Sequence, residues 1–402
     1  MNVRRTRLLA VLAVGAIALM STACQPKPPT AQPPTGTPVQ LDVSITHGCA
    51  VYSTGTIRCW GNNRDGQLGN GTRANKALRN VAVSGITNAR SVTVGDFSTC
   101  ALLSNRTVKC WGNGIAGRLG NGSETGSTVP ITVAGLTGVT SVSMGDSGYP
   151  ATCATLTTGQ VSCWGSNVRG LLGSQSIPFT IKGWRGTPAV VPGISGATSV
   201  SLGRDNACTL LGDHTVKCWG DNQSGQVGNA SVPSGTGSAM TSIPTTVVGL
   251  TGVSRLSAGN GHNCAQVGTA ARCWGSNWTG QRGTGDILAP TAPSTVSGGH
   301  VFTKVTAGGA SCGIEAHQAY CWGPDNAART GQIGNPSVPN PPPADAGKLK
   351  PPYTTVPLPV TVVSGTFTLL ENGDGVTCGA LTTKAIRCWG STNYGATVTG
   401  IG

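Results

Sequence analysis

The residues with the most evident chemistry are fifteen cysteines in a chain of 402 residues. With Cys24 set aside, the rest fall in pairs: Cys49 with Cys59, Cys100 with Cys110, Cys153 with Cys163, Cys208 with Cys218, Cys264 with Cys273, Cys312 with Cys321 and Cys378 with Cys388. Thiols so spaced either hold a metal or oxidise to disulfides. Structural zinc sites use knuckles with about two to four residues between cysteines. Here eight or nine intervene and no histidine keeps step with them. Hairpin geometry favours oxidation. Paired residue numbers in an antiparallel hairpin share a constant sum, so Cys49 and Cys59 face each other across a Ser53-Thr54-Gly55 loop, with Gly55 suited to the left-handed last position. In the two shorter units a two-residue loop, Gly268-Thr269 or Ala316-His317, restores the same pairing. Directly opposed residues lie within disulfide reach. Seven disulfides, one in each hairpin, are expected, with no metal and no cofactor. By the loop-entropy account each ring of about eleven residues contributes roughly 2.8 kcal/mol, a supplement to a core in which aromatic residues are only 4% of the chain.

No other constellation reads as catalytic. Gly-x-Ser-x-Gly in a strand-turn-helix setting, His-Glu-x-x-His and a P-loop lysine are all missing from the sequence. Asp96, Asp146 and Asp374 recur just after a glycine, where they would ring one mouth of a channel or simply bond the local backbone of a turn. The turn reading is the plainer one. His47, His214, His262, His300 and His317 share no ligand spacing and read as structural or surface residues. Trp-Gly follows each second cysteine (Trp60, Trp111, Trp164, Trp219, Trp274, Trp322, Trp389), and identical placement in every unit points to packing rather than ligand stacking. Arg58, Lys109, Lys217, Arg272 and Arg387, each just before a second cysteine, read as solvated or snorkelling side chains rather than a functional stripe.

The elements that must position these residues are short strands. Charged residues are 10% of the chain, while Gly 61 and Pro 25 make about a fifth of it. That composition excludes a coiled coil and a charged disordered tail and favours strands joined by turns. Successive second cysteines lie 51, 53, 55, 55, 48 and 67 residues apart, which means seven stacked units. Each unit has four strands, A to D: an apolar stretch ending in glycine, the two arms of the cysteine hairpin, and a Pro-x-Val-like strand ending in glycine. A loop usually containing Gly-x-x-Gly joins C to D.

Residues 1–23 read as a signal peptide: Arg4, Arg5 and Arg7 precede the apolar run Leu8–Met20, which is too short to span a bilayer. Ser21-Thr22-Ala23-Cys24 resembles a bacterial lipobox with Ser21 where Leu is usual, so Cys24 is the expected lipid-bearing N-terminus. Residues 24–38 then form a Pro-rich tether, and 39–402 the folded part. The protein is expected to be exported, as an envelope lipoprotein on the periplasmic or cell-surface side or, alternatively, secreted. Membrane contact would come through the lipid anchor only. Removing the three signal arginines leaves 24 basic against 14 acidic side chains, a net of +10. The basic residues are scattered singly, which excludes a nucleic-acid footprint and fits acidic envelope polymers or plain solubility.

The segments Cys100-Ala101-Leu102, Val108-Lys109-Cys110-Trp111-Gly112 and Gly117-Arg118-Leu119-Gly120-Asn121-Gly122 resemble the regulator-of-chromosome-condensation repeat, and the resemblance runs from Leu41 to Gly402. It implies an all-β, seven-bladed β-propeller of four-stranded blades. The family's histidine before the hairpin is present as His47 and His262 and replaced elsewhere. The prototypes act on chromatin and a small GTPase, and no residue here carries that activity over. Exported relatives include a propeller that inhibits β-lactamase. Ring closure has two readings: Ala396–Ile401 completes the last blade, or Thr37–Leu41 supplies its missing strand.

In such a propeller the B–C hairpins would sit on one face, and the A–B and C–D loops on the other. All long insertions fall in A–B or C–D loops, and Tyr149, Phe179, Trp184, Arg185, Trp278, Arg282 and Tyr353 form the candidate binding face. The expected function is non-enzymatic binding of a protein or acidic envelope polymer by a monomer. The alternative is inhibition of a secreted enzyme, and a third possibility, carbohydrate hydrolysis, would need Asp96, Asp146, Asp205 and Asp374 to converge.

Overall fold

The computed structural model describes residues 35–145, 151–180, 182–235, 239–288, 291–325, 354–361 and 365–390. The signal segment, the tether to residue 34, Cys24, Tyr149 and Tyr353 lie outside them.

Seven antiparallel sheets follow one another along the chain, each with its strands in sequence order, which makes seven blades. Six have four described strands. In blade 7 three are described (Phe367–Asn372, Val376–Leu381, Ile386–Gly390), and Ala396–Ile401 falls outside the described residues. Pro38–Val43 pairs with His47–Tyr52 as strand A of blade 1. The reading in which Thr37–Leu41 serves blade 7 is thereby corrected: Leu41 faces Ala50, and its alternation suits its own blade's core.

The hairpin arithmetic holds in every blade. In the five longer hairpins Cys49 stands opposite Cys59, Cys100 opposite Cys110, Cys153 opposite Cys163, Cys208 opposite Cys218 and Cys378 opposite Cys388. In the two shorter ones Cys264 stands opposite Cys273 and Cys312 opposite Cys321, as the two-residue loops require. All seven pairs are bonded, at Cα separations of 4.0–4.1 Å. The left-handed position that Gly55 fills in blade 1 is taken by Arg106, Gly159, His214 and Lys384 in the other long hairpins. Three of those five residues bear a Cβ, so disulfide and ladder together hold a conformation that the residue types alone disfavour.

The core lies between blades rather than within one sheet. Seven apolar clusters form, each joining a blade to the next, and in each the cysteine pair of one blade packs with residues of its successor. Cys153 and Cys163 meet Trp219, Cys208 and Cys218 meet Trp274, and Cys312 and Cys321 meet Phe367. Trp60 of blade 1 packs with Cys378 and Cys388 of blade 7, which closes the ring.

The A strands surround a central cavity of about 420 Å3. A belt of side chains stitches them together at one height, each opposite the first cysteine of its own blade. The N–H of Val94 donates to Asp42 Oδ2 (2.9 Å), that of Met144 to Thr93 Oγ1 (3.1 Å) and that of Leu202 to Ser143 Oγ (3.0 Å). Ala258 and Ala307 donate likewise to Ser201 and Ser257, both at 2.9 Å. Beyond the belt six of the A strands run into a glycine, with Ser44 in its place in blade 1, because neighbouring blades nearly touch. A Cβ on Gly203 would lie 2.1 Å from the Gly259 carbonyl oxygen, and one on Gly308 2.2 Å from that of Asn372.

Candidate functional site

The C–D loops are built by two devices, one of them not anticipated. Two residues after the Trp-Gly of blades 1, 3, 4 and 5 stand Asn63, Asn167, Asn222 and Asn277, all buried. Each accepts a backbone N–H near the end of its Gly-x-x-Gly turn (Leu68, Leu172, Val227, Arg282) and donates to carbonyls further along the loop. Asn277 donates to the carbonyls of Asp286 and Leu288 at 3.0 and 2.7 Å. The recurring Trp-Gly-x-Asn was the available signal. The second device is the tryptophan. Trp111, Trp164, Trp219, Trp274 and Trp322 donate Nε1–H at 2.9 Å to Gln67, Arg118, Leu171, Gln226 and Gln281 of the preceding blade. The accepting residue is always the first after the glycine of Gly-x-x-Gly. One carbonyl thus fixes loop and blade together.

His47 and His262 extend this lock. The Thr99 hydroxyl gives its single proton to the Gln67 carbonyl, so His47 Nε2, 2.7 Å away, must be the N–H donor to Thr99. The same logic applies to His262, Ser311 and Gln281. Burial holds both imidazoles neutral, with pKa values lowered to about 3 for His47 and about 4 for His262. His214 and His317 bond backbone carbonyls, and His300 pairs with Glu315 at 2.7 Å. The basic residues of strand C are tied in as well. Lys217 and Arg272 reach the carbonyls of Gly193 and Gly249 at the end of the preceding blade, and Arg58 reaches Asn80 of its own.

At the mouth of the channel the acids converge only in part. Burial raises the Asp374 carboxyl, Asp96 adds to the rise, and Arg204 and an Asn260 hydrogen bond oppose it. Asp205 lies 3.7 Å from Arg204 and is also raised by burial. Asp146 is outside the described residues. Among the described residues no three of His, Cys, Asp and Glu gather as metal ligands.

The candidate binding residues separate. Trp278 is 75% exposed, and Phe179 and Trp184 are exposed at 37% and 36%. The six-membered ring of Trp184 lies against Gly117 and Gly186, close enough that a Cβ on either would meet it at 2.9 or 3.1 Å. Arg185 is half-buried in strand D of blade 3, opposite Gly165. Arg282 is not on the face: it is wholly buried, and its guanidinium bonds the Ala292 carbonyl and Ser294 hydroxyl. It fills the slot held by Leu68, Leu119, Leu172 and Val227 in other blades, a position that alignment of the units marks as core. Among the exposed apolar residues that were missed are Ile115 on blade 2, and Ile287 and Leu288 in the same C–D loop of blade 5 as Trp278, the last two 56% and 69% exposed.

Comparison with known proteins agrees with this architecture. Sequence profiles described as "Regulator of chromosome condensation (RCC1) repeat" match residues 39–67, 89–118 and 197–226, and residues 54–102 and 108–148. Human E3 ubiquitin-protein ligase HERC2 is 30% identical over 235 residues, covering 56% of this chain and 5% of that protein. Protein pim1 of Schizosaccharomyces pombe is 28% identical over 205 residues, covering 47% of this chain and 38% of its own length. The chain therefore spans well under half of these relatives. Among solved structures, Prp20p of Saccharomyces cerevisiae superposes with a TM-score of 0.64 at 21% identity, covering 83% of this chain and 80% of that one. Human WBSCR16 superposes with a TM-score of 0.66 at 16% identity, covering 85% and 86%. These matches identify regulator-of-chromosome-condensation repeats within residues 39–148 and 197–226, and the order of the sheets makes the chain a seven-bladed β-propeller.

Proposed function

We propose that this is a non-enzymatic binding protein of the extracytoplasmic space, which holds a protein partner on the face carrying the C–D loops. The carrying observation is the blade 5 loop. Trp278, Ile287 and Leu288 stand exposed on a loop braced from beneath by buried Asn277 and Arg282. Side chains held in place before binding lose little entropy on association, and Trp is a frequent interface anchor. An exposed apolar group of this kind also suits the cleft of a secreted enzyme, which keeps inhibition as a second reading. Prp20p, which shares the fold, is described by its binding to Gsp1p and histones, which supports protein recognition as a use of the scaffold. Seven hairpin disulfides fit an oxidising compartment.

The test is affinity capture from the native envelope with the intact protein and with Trp278→Ala and Trp184→Ala. A hot-spot residue costs about 2 kcal/mol or more of binding, roughly thirtyfold in affinity. Capture should fall by that order for Trp278→Ala while the melting temperature stays within a degree or two of wild type. Equal capture by both variants, or capture of polysaccharide without protein, overturns the reading.

Anchoring rests on Cys24, the one cysteine outside the pairs. The intact mass of membrane-extracted protein should show a diacylglyceryl addition on a chain beginning at that residue. A soluble product lacking Cys24, or carrying it unmodified, removes the anchor and leaves secretion.

A further inference from the structure

The two ends of the propeller differ in charge. The end bearing the B–C hairpins and the D–A links carries nine basic residues among the described side chains, against two acids, Asp213 and Glu315. Five of the nine are the strand C residues before a second cysteine, and the other four, Arg90, Arg106, Arg255 and Lys384, are exposed. Lys217 and Arg272 hold their charge on the D–A links, at the carbonyls of Gly193 and Gly249. Glu315 is already engaged by His300, and Lys304, at the start of its strand, by Glu371. The loop end carries eight basic residues against seven acids among the described side chains and is close to neutral.

The chain also enters from the basic end. Ahead of strand A of blade 1, the Thr37 N–H donates to Ser53 Oγ at 3.1 Å and the Ser53 N–H to the Thr37 carbonyl at 2.8 Å. The Thr54 hydroxyl donates to the Thr35 carbonyl at 3.3 Å, so Thr35 is fixed at the tip of the first hairpin. Only the eleven residues 24–34 separate it from Cys24, at most about 40 Å of extended chain.

We propose that the hairpin end docks on an anionic bilayer, its basic side chains against lipid headgroups, with the loop end and Trp278 turned outward. The docking rests on the anchor reading of Cys24 only for the leash, since the charge of this end does not depend on it. Each Lys or Arg held near an anionic lipid surface strengthens binding about fivefold, and salt screens the effect. Val248 and Val301, exposed on D–A links of the same end, would meet the headgroup layer.

The test uses the mature chain with Cys24→Ser, which removes any lipid, so that failure of the anchor and failure of the docking read separately. It should sediment with phosphatidylcholine vesicles containing about one-third phosphatidylglycerol, less so as salt rises, and not with pure phosphatidylcholine. Arg90→Glu/Arg106→Glu/Lys384→Glu should weaken this binding at least about tenfold. Arg64→Glu/Arg73→Glu/Lys182→Glu makes the same change in net charge on the loop end and should stay within about threefold of the parent. A measurement without these substitutions locates the contact: anionic vesicles should slow tryptic cleavage after Arg106 and Lys384 but not after Arg73, read once the disulfides are reduced. Equal losses in the two triple variants, or equal protection at all three sites, would make net charge the cause and overturn the docking. Release from the vesicles by soluble polyglutamate at equal charge also overturns it, in favour of an acidic polymer.

Discussion

Trp219→Ala is expected to lower the free energy of unfolding by about 3–5 kcal/mol, a large share of the stability of an ordinary domain. The indole is fully buried between blades 3 and 4, against Cys153, Cys163, Leu171 and Leu202. Its removal empties the centre of that junction. A finer comparison isolates the hydrogen bond. Trp219→Phe keeps an apolar ring and deletes the donor to the Leu171 carbonyl, and the residue that elsewhere supplies a second donor is Ala207 here. In the next junction Asn263 Nδ2 also bonds the carbonyl that Trp274 uses, that of Gln226. An acceptor left bare in the interior costs about 1–3 kcal/mol. Trp219→Phe should therefore cost more than Trp274→Phe in urea unfolding at fixed pH. Equal losses would mean that the shared carbonyl contributes little to holding blades together.

The second large effect is on acid stability. His47 and His262 are wholly buried and, lowered to about 3 and about 4, stay neutral well below the ordinary 6.5. The unfolded chain then takes up protons that the folded chain refuses. The stability these residues contribute is whole above pH 6.5 and is lost as pH falls from there toward about 4. Each histidine costs about 1.4 kcal/mol per pH unit across that window. Asp42 slopes the opposite way, as do Asp205 and Asp374, whose carboxyls burial also raises. The cleanest measurement is therefore a difference. The stability gap between wild type and the double variant His47→Gln/His262→Gln should shift by about 2.7 kcal/mol per pH unit between roughly pH 6.5 and 4.5, in favour of the variant at low pH. A gap that does not change with pH would show that both imidazoles protonate within the folded protein.

What could be read from the sequence followed from relations local to one unit. The constant sum across Cys49 and Cys59 gave register, loop length and disulfide together, because a hairpin is closed by short-range geometry. The same sum held where the loop is a residue shorter, across Cys312 and Cys321. Relations between units were harder to see. Gly203 is glycine because the carbonyl of Gly259, in the next blade, nearly touches it, and nothing within its own unit reveals that approach. Asn277 was passed over because a polar residue in a loop reads as solvated, whereas the loop wraps around it. Arg282 was placed on the surface by its charge. Its guanidinium finds two oxygens inside the loop, and its position matches the core leucine of other units. The exposed tryptophans were legible as departures from the repeat: Trp278 and Trp184 are not among the seven that follow a second cysteine, so no junction was available to bury them.

Every disulfide encloses only the tip of its own hairpin. Two of those tips, at Arg106 and Lys384, present an exposed basic residue in left-handed backbone, the sort of bond a trypsin-like protease reaches first. A cut there falls inside the ring closed by Cys100–Cys110 or Cys378–Cys388, so the two fragments stay joined by sulfur and both strands keep their places in the blade. In an oxidising compartment, where the disulfides persist, a nicked molecule would remain one particle with its loop face intact.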